Sequence, residues 1–189
     1  MLFPGVVILF AMSGFLISAS FERAGSRKVF FERRILRMYP ELWICTIVNL
    51  AVVCFLVPEL LDGSLFLWIA TQIVGIANTP ECLKSFGTGS VNGALWTVFT
   101  EMQLYIVLGI FYPGLKKMKT GHWTVLLIMF ATVNLACGEM AQNLDGIFPK
   151  LIERMFLPYA LWFFIGVFCY QKRQSVLPVL KKICLPMLV

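Results

Sequence analysis

The chain has 189 residues, of which 59% are hydrophobic and only 14% are charged, and its mean hydropathy is +0.83. A water-soluble domain of this length needs a polar shell around its core, and this composition does not supply one. A disordered segment, a coiled coil and a nucleic-acid-binding module are excluded on the same grounds. The net charge of +6 lies in short basic clusters between apolar runs, which is typical of a membrane protein.

The apolar runs have the length of membrane-spanning helices. A bilayer core about 30 Å thick requires roughly 20 apolar residues in a helix. The fold class is therefore predicted to be all-α, a polytopic transmembrane helix bundle of five to six spans. The predicted spans lie at residues 3–20, 42–58, 94–113, 122–138 and 156–171, with a sixth at 176–189.

The basic loops predict the orientation of these spans. Loop 22–41 holds six arginine and lysine residues, so the rule that short basic loops stay in the cytoplasm places it inside. Lys116 and Lys172 are also placed inside, which requires that the short apolar segment 65–77 does not cross. This segment has about two-thirds of the length of a span and is predicted to be re-entrant. If it crosses, the lysine cluster around Lys116 lies outside.

The cysteine and histidine patterns indicate neither a disulfide framework nor a metal site. None of the six cysteines forms a C-x-x-C pair, and most lie inside apolar runs. The single histidine, His122, stands beside Trp123 without nearby carboxylates or cysteines, which is typical of an interfacial residue. No bound metal or cofactor is predicted.

Glu101 is a carboxylate inside the predicted span 94–113. An ionisable residue at that depth costs several kcal/mol unless it faces protein or water, so it indicates a functional site by default. Trp96 and Tyr105 lie close to it on the helix surface. The structural alternative is a buried carboxylate whose charge a neighbouring helix compensates.

The arginine-rich segment 30–40 is predicted to form a short cytoplasmic amphipathic helix that ends at Pro40. Arg34 and Arg37 stand three residues apart, so they project from one face and together suit a phosphate group. Arg33 points about a quarter-turn away. The alternative is topogenic charge in contact with lipid headgroups, and composition alone does not choose between the two.

Ser13 and Gly14 lie in the first predicted span, where serine and glycine are ordinary packing residues of membrane helices. No G-x-S-x-G motif surrounds Ser13, and no base lies near it in the sequence. Nucleophilic catalysis by this serine is therefore not favoured.

Three segments in this order resemble the acyltransferase-3 family of integral-membrane O-acyltransferases. They are LFAMSGFLIS (9–18), FFERRILRMYP (30–40) and VNGALWTVFTEMQLYIVL (91–108). The specific features are an R-x-x-R just inside the membrane and a W-x-x-x-x-E that enters a later span. The resemblance covers residues 4 to 172.

The resemblance implies an enzyme that transfers an acyl group, usually acetyl and not aminoacyl, from cytoplasmic acyl-coenzyme A (acyl-CoA). The acceptor would be a hydroxyl of a cell-surface polysaccharide such as lipopolysaccharide, or of its lipid-linked precursor. The expected location is the bacterial inner membrane, among membrane lipids, with no nucleic acid partner. Arg34 and Arg37, with Arg33 beside them, would bind the coenzyme A phosphates. Glu101 would order the acceptor hydroxyl or a catalytic partner.

The same resemblance assigns a substrate pocket around Glu101 and identifies a departure from the family. The pocket residues would be Asn92, Trp96, Tyr105 and Ser13. Family members carry a preceding span with an arginine-glycine pair and further along a histidine assigned as general base, and His122 is not in that place. We therefore interpret residues 1–189 as a partial domain that lacks the first family span and the C-terminal spans, and expect the fragment alone to be inactive.

Two further hypotheses remain open from the sequence. One is a polytopic transporter or glycan-translocating protein that lines a polar pathway with Glu101 and a re-entrant 65–77. The other is a degenerate membrane fragment without activity. Loss of coenzyme A binding on substitution of Arg34 and Arg37 would separate the acyltransferase from both.

Overall fold

The computed structural model describes residues 4–56, 63–74, 95–143 and 155–175, and the prediction of an all-α fold is confirmed for them. Asn92 and the sixth predicted span lie outside the described residues. The described helices are α1 (Pro4–Ala24), α2 (Arg27–Leu56), α3 (Ser64–Val74), α4 (Leu95–Lys116), α5 (Thr120–Asn143) and α6 (Leu157–Gln171).

Four of the described helices, α1, α2, α4 and α5, are long and apolar enough to cross a membrane. The predicted span 156–171 corresponds to α6, which has 15 residues and belongs with the shorter apolar helices. At about 1.5 Å per residue it extends roughly 22 Å, less than a bilayer core about 30 Å thick. The structure therefore supports an integral membrane protein with four long spans in the described ranges.

The prediction that a short helix ends at Pro40 is wrong, because α2 runs without a break from Arg27 to Leu56 and contains this proline. A proline inside a helix removes only one intrahelical hydrogen bond, here to the carbonyl of Leu36. Membrane helices tolerate that loss when local adjustments satisfy the freed carbonyl. The arginine segment and the following span therefore form one element. Helix α4 likewise continues past Pro113, to Lys116.

The described chain divides into two compact units. The first comprises Met1–Arg27 and Gln103–Val189, and therefore holds α1, most of α4, α5 and α6. The second, Lys28–Met102, holds nearly all of α2, α3 and the first turns of α4.

The closest helix packing in the first unit joins α1 to α6. A Cβ atom added to Gly14 would collide with the carbonyl oxygen of Phe163, and one added to Gly166 would collide with that of Ala11. The two backbones can approach this closely only because both positions are glycine. Small residues in membrane helices serve this kind of contact, which confirms the packing interpretation of Gly14.

Two aromatic pairs and one side-chain hydrogen bond hold α6 against α5. The rings of Phe130 on α5 and Phe164 on α6 stack with centroids 4.8 Å apart. The buried Trp123 packs 5.6 Å from Phe168. The side chain of Asn134 donates a hydrogen bond to the Pro158 carbonyl. These contacts pair α5 with α6 along most of the length of α6.

The C-terminal ends of α1, α4 and α6 lie together. Lys116 at the end of α4 is 3.0 Å from Glu22 in the last turn of α1, and Arg173 just beyond α6 is 3.9 Å from the same carboxylate. The three helices therefore end on one face of the first unit. This agrees with the prediction that Lys116, Lys172 and the start of segment 22–41 share one side of the membrane.

In the second unit α3 folds back along α2. Leu65 and Trp68 at the start of α3 form a buried cluster with Val53 near the end of α2. The indole of Trp43, three turns earlier in α2, donates a 3.2 Å hydrogen bond to the carbonyl of Ile73 at the end of α3. The two helices are therefore antiparallel. With 11 residues, α3 extends only about 17 Å, too short to span a bilayer alone.

Candidate functional site

The arginine segment forms the first part of α2 in the second unit. Because α2 is helical here, Arg34 and Arg37 stand on adjacent turns of one face, as predicted. Arg33 lies about 100° around the helix from Arg34 but only about 40° from Arg37, so it is turned away from Arg34 alone. Arg34 is partly buried, and its guanidinium lies 5.8 Å from the centroid of the Phe30 ring. Arg33 and Arg37 are exposed.

The contact with Phe30 has a consequence for Arg34. A guanidinium packed against an aromatic ring loses side-chain freedom before it meets a ligand, so less conformational entropy is lost when it binds. Phe30 itself is fully buried and makes an edge contact with Phe31. The nearby acid Glu32 lies 3.9 Å from Lys28. The helix therefore presents a partly ordered cation, Arg34, beside an exposed one, Arg37.

Glu101 lies in the second turn of α4, six residues after Leu95, in the second unit. At about 1.5 Å per residue this places its Cα roughly 9 Å along the helix from the first residue. Its side chain is partly buried. The predicted position of a carboxylate inside a membrane-spanning helix therefore agrees with the helix bounds.

Trp96 lies in the first turn of the same helix and is also partly buried. Its carbonyl accepts a 2.9 Å hydrogen bond from the hydroxyl of the buried Thr100. The other residue predicted near this end of α4, Asn92, lies outside the described residues. Trp96 and Glu101 are thus the described part of the predicted pocket in the second unit.

Ser13 and Tyr105 come together in the first unit. Their hydroxyl oxygens are 3.4 Å apart, although the residues are 92 positions apart in the chain. Tyr105 is buried on α4, and Ser13 is partly buried in the middle of α1. Ser13 therefore has a specific polar partner, which the local sequence around it does not reveal.

Sequence reasoning missed two polar residues with structural partners. The Gln103 side-chain oxygen accepts a 3.2 Å hydrogen bond from the backbone N–H of Phe156, just before α6 begins. This bond satisfies one of the free N–H groups at the helix start. Glu22 contacts Lys116 and Arg173, as described above. The position of Gln103, a polar residue within a predicted span, is a signal that could have identified it. Glu22 has no such signal, because in the sequence it resembles an ordinary charged residue of a loop.

No group of three histidine, cysteine, aspartate or glutamate side chains comes together as metal ligands within the described ranges. The candidate residues described above carry guanidinium, carboxylate and hydroxyl groups. Cations of this kind suit phosphates, and a carboxylate or hydroxyl can orient an acceptor alcohol.

Comparison with known proteins gives one family. A family model described as an acyltransferase domain matches residues 1–189. Nodulation protein 10 of Rhizobium leguminosarum bv. viciae is 31% identical over 153 residues, covering 75% of this chain and 41% of that protein. The O-acetyl transferase of Shigella phage Sf6 is 29% identical over 152 residues, covering 76% of this chain and 44% of the phage protein. The chain spans about two-fifths of the length of these relatives. No solved structure matches.

Proposed function

The chain belongs to the acyltransferase-3 family of membrane proteins, and from that premise we propose that it transfers an acyl group from acyl-CoA to a saccharide hydroxyl. In this reaction the acceptor oxygen attacks the thioester carbonyl, a C–O bond forms and the C–S bond breaks. The acceptor hydroxyl gives up its proton, and coenzyme A leaves as the thiol. The protein must therefore hold the phosphates of the donor and orient the acceptor hydroxyl.

The arginine pair supports the donor part of the proposal. Arg34 and Arg37 share one face of α2, and the Arg34 guanidinium is already packed on Phe30. Two guanidinium groups on adjacent turns suit the diphosphate or ribose phosphate of coenzyme A through charge-assisted hydrogen bonds. Arg33 adds a third positive charge. The basic segment 22–41 is predicted to be cytoplasmic, where acyl-CoA is available. This pair is the observation that carries the proposal.

Glu101 supports the acceptor part. A partly buried carboxylate in a membrane helix accepts a hydrogen bond from a sugar hydroxyl more strongly than one in water, because the local dielectric constant is lower. We assign Glu101 to ordering the acceptor hydroxyl, with Trp96 and Asn92 shaping the pocket around it. Ser13 and Tyr105, in the first unit, are assigned to acceptor binding as a separate hydroxyl pair.

The name of one relative bears on which acyl group is transferred and which atom accepts it. The phage Sf6 protein is named an O-acetyl transferase, which favours acetyl as the group and oxygen as the acceptor atom. We therefore propose acetyl-CoA as the donor and a cell-surface glycan, such as lipopolysaccharide or its lipid-linked precursor, as the acceptor. Since the relatives extend well beyond the matched length, we propose residues 1–189 as part of a larger catalytic domain.

Donor binding gives the direct test. In the complete gene product purified in nanodiscs, Arg34→Ala with Arg37→Ala should weaken acetyl-CoA binding about ten- to a hundredfold per arginine, since hydrogen bonds to charged groups contribute about 1.5–3 kcal/mol. Isothermal titration calorimetry measures the affinity. Lys28→Ala, which removes an exposed cation from the same helix, is the matched control. Equal affinity in the double variant and the control would contradict the proposal.

A transporter or glycan-translocating protein is the second candidate function. The short helix α3, antiparallel to α2, and the intramembrane Glu101 are features that line polar pathways in transporters. This candidate predicts that Glu101→Gln abolishes substrate flux whether or not acyl-CoA is present. The acyltransferase predicts product formation that depends strictly on the donor.

A further inference from the structure

The carboxylate of Glu22 joins three helices at the end of the first unit. Its Oε1 atom lies 3.0 Å from Lys116 Nζ at the end of α4. Its Oε2 atom accepts a 2.9 Å hydrogen bond from the Tyr170 hydroxyl on α6 and lies 3.9 Å from an Arg173 nitrogen. One side chain on α1 therefore binds groups from both α4 and α6.

The partners of Glu22 are themselves held in place. The Arg173 guanidinium lies 4.4 Å from the centroid of the Tyr170 ring and donates a 3.1 Å hydrogen bond to the Tyr170 carbonyl. The ring of Phe21, next to Glu22, packs 4.6 Å from the ring of Tyr112 on α4. The Glu22 side chain is only 25% exposed, so solvent screens these interactions less than those of an ordinary surface pair.

Helices α1 and α4 are thus connected at two levels. The upper connection is the 3.4 Å contact between the Ser13 and Tyr105 hydroxyls, and the lower one is the Glu22–Lys116 ion pair. Nine residues separate the two levels on α1 and eleven on α4. A slide of α1 along α4 by one residue moves every side chain by about 1.5 Å, enough to break a hydrogen bond.

We propose that Glu22 is a positioning residue that fixes the axial register of α1 against α4 and α6, and so holds the Ser13 and Tyr105 hydroxyls together. Its role in catalysis rests on the proposed function only through the assignment of this hydroxyl pair to acceptor binding. The register itself is a property of the folded first unit. It can therefore be tested without any acyl transfer.

Cross-linking in a cysteine-free background measures the register. Ser13→Cys and Tyr105→Cys remove the hydroxyl pair and leave the Glu22–Lys116 ion pair in place. Bifunctional methanethiosulfonate reagents of increasing length, applied to membranes that hold the complete gene product, should give a sharp optimum in length. Glu22→Gln should lower the yield at that optimum about three- to fivefold, as expected for loss of an interaction of about 0.6–1 kcal/mol.

Two further variants make this result specific. Lys116→Gln should reproduce the loss, because it removes the ion pair from the other side. Glu32→Gln is the matched control, because Glu32 pairs with Lys28 one turn away on its own helix. An unchanged length optimum and yield in both Glu22→Gln and Lys116→Gln would overturn the proposal.

Acyl-transfer kinetics test the link to the proposed site. With Ser13 and Tyr105 intact, Glu22→Gln should lower kcat about three- to fivefold and leave the KM for acetyl-CoA unchanged. A normal kcat alongside lost cross-linking would overturn the link between Glu22 and the acceptor pair. If the unsubstituted protein transfers no acyl group, the proposed function fails, and the cross-linking result still decides whether Glu22 sets the register.

Discussion

At the scale of single residues, the hydrogen bond between Ser13 and Tyr105 makes a definite prediction. Such bonds in membrane proteins contribute about 0.6 kcal/mol, and at most about 1.7 kcal/mol. Ser13→Ala and Tyr105→Phe should each lower the free energy of unfolding by about this amount, and the double variant should lose little more than either single one. Reversible unfolding in mixed micelles, at increasing concentrations of a denaturing detergent, measures these losses for the two single variants and the double variant.

The control for this cycle is Thr132→Ala. The Thr132 hydroxyl donates to the Met129 carbonyl of its own helix and is exposed, so its removal should act independently of Ser13. Fully additive losses for Ser13→Ala and Tyr105→Phe would show that the two hydroxyls do not interact.

The sequence locates a candidate residue best where that residue is unusual in its own segment, and the role of each candidate stays a prediction. Glu101 was identifiable because a carboxylate in an apolar run is costly wherever it points. The three-residue spacing of Arg34 and Arg37 was sufficient to place them on one helix face. Glu22 was missed because a glutamate beside arginines resembles an ordinary loop charge. Its partners lie 94 and 151 positions away, and local patterns carry no information on such contacts.

At the scale of helices, the contact between α1 and α6 depends on two glycines. Gly14→Ala and Gly166→Ala should each destabilise the protein by about 1–3 kcal/mol or more, because the added methyl group meets a backbone carbonyl that cannot move aside. The matched control is Gly138→Ala on α5, where no atom lies within 4 Å of the added methyl group. Thermal inactivation of a fluorescent fusion in membranes and size-exclusion profiles after heating measure the effect.

A comparison with Gly138→Ala can contradict the predicted contact between α1 and α6. If Gly14→Ala and Gly166→Ala are as stable as Gly138→Ala, then α1 and α6 do not approach at these glycines. Substitution to alanine raises helix propensity at all three positions by a similar amount, so a difference between them reports packing.

Helix existence was easier to predict than helix ends. Apolar length sufficed for α1, α4 and α5, since each run far exceeds what a loop can hold in a bilayer. The sequence predicts helix ends at Pro40 and at residue 113, the bound of the third span, and both prolines lie inside helices. The rule that proline stops a helix rests on the lost backbone hydrogen bond and on the clash of the ring with the preceding turn. Membrane helices tolerate proline where neighbouring groups and local adjustments satisfy the freed carbonyl.

At the scale of the whole molecule, the common end of α1, α4 and α6 bears on the path of α3. Helices α1 and α4 end on the same face, and α4 is itself long enough to cross the membrane. The chain from the end of α1 to the start of α4 is therefore expected to cross an odd number of times. Helix α2 supplies one crossing, and α3 is too short for another. We therefore expect α3 to enter and leave from the non-cytoplasmic side.

Cysteine accessibility tests this path. In a cysteine-free protein in spheroplasts, single cysteines at Gly63 and Thr79 should both react with a membrane-impermeant maleimide added from outside. A cysteine replacing Lys119, at the predicted cytoplasmic end of α4, is the control and should react only after lysis. Reaction of Gly63→Cys from outside with Thr79→Cys protected until lysis would show that α3 crosses.

The family and the membrane location followed from motif order and composition, whereas the contacts between helices did not. Motifs such as R-x-x-R and W-x-x-x-x-E retain their spacing in one segment, so one sequence suffices to find them. The packing of Gly14 on α6 and the binding of Glu22 by two other helices depend on how those helices meet in space. No local pattern encodes that arrangement.

The measurement that tests the central claim most directly is transfer of labelled acetyl from acetyl-CoA to endogenous saccharide in membranes that carry the complete gene product. We predict donor-dependent labelling that Glu101→Gln lowers about tenfold or more with unchanged acetyl-CoA affinity. Glu139→Gln, at an exposed glutamate of α5, should leave the rate unchanged. Labelling at the full rate in Glu101→Gln, or no labelling in the unsubstituted protein at any donor concentration, would contradict the account.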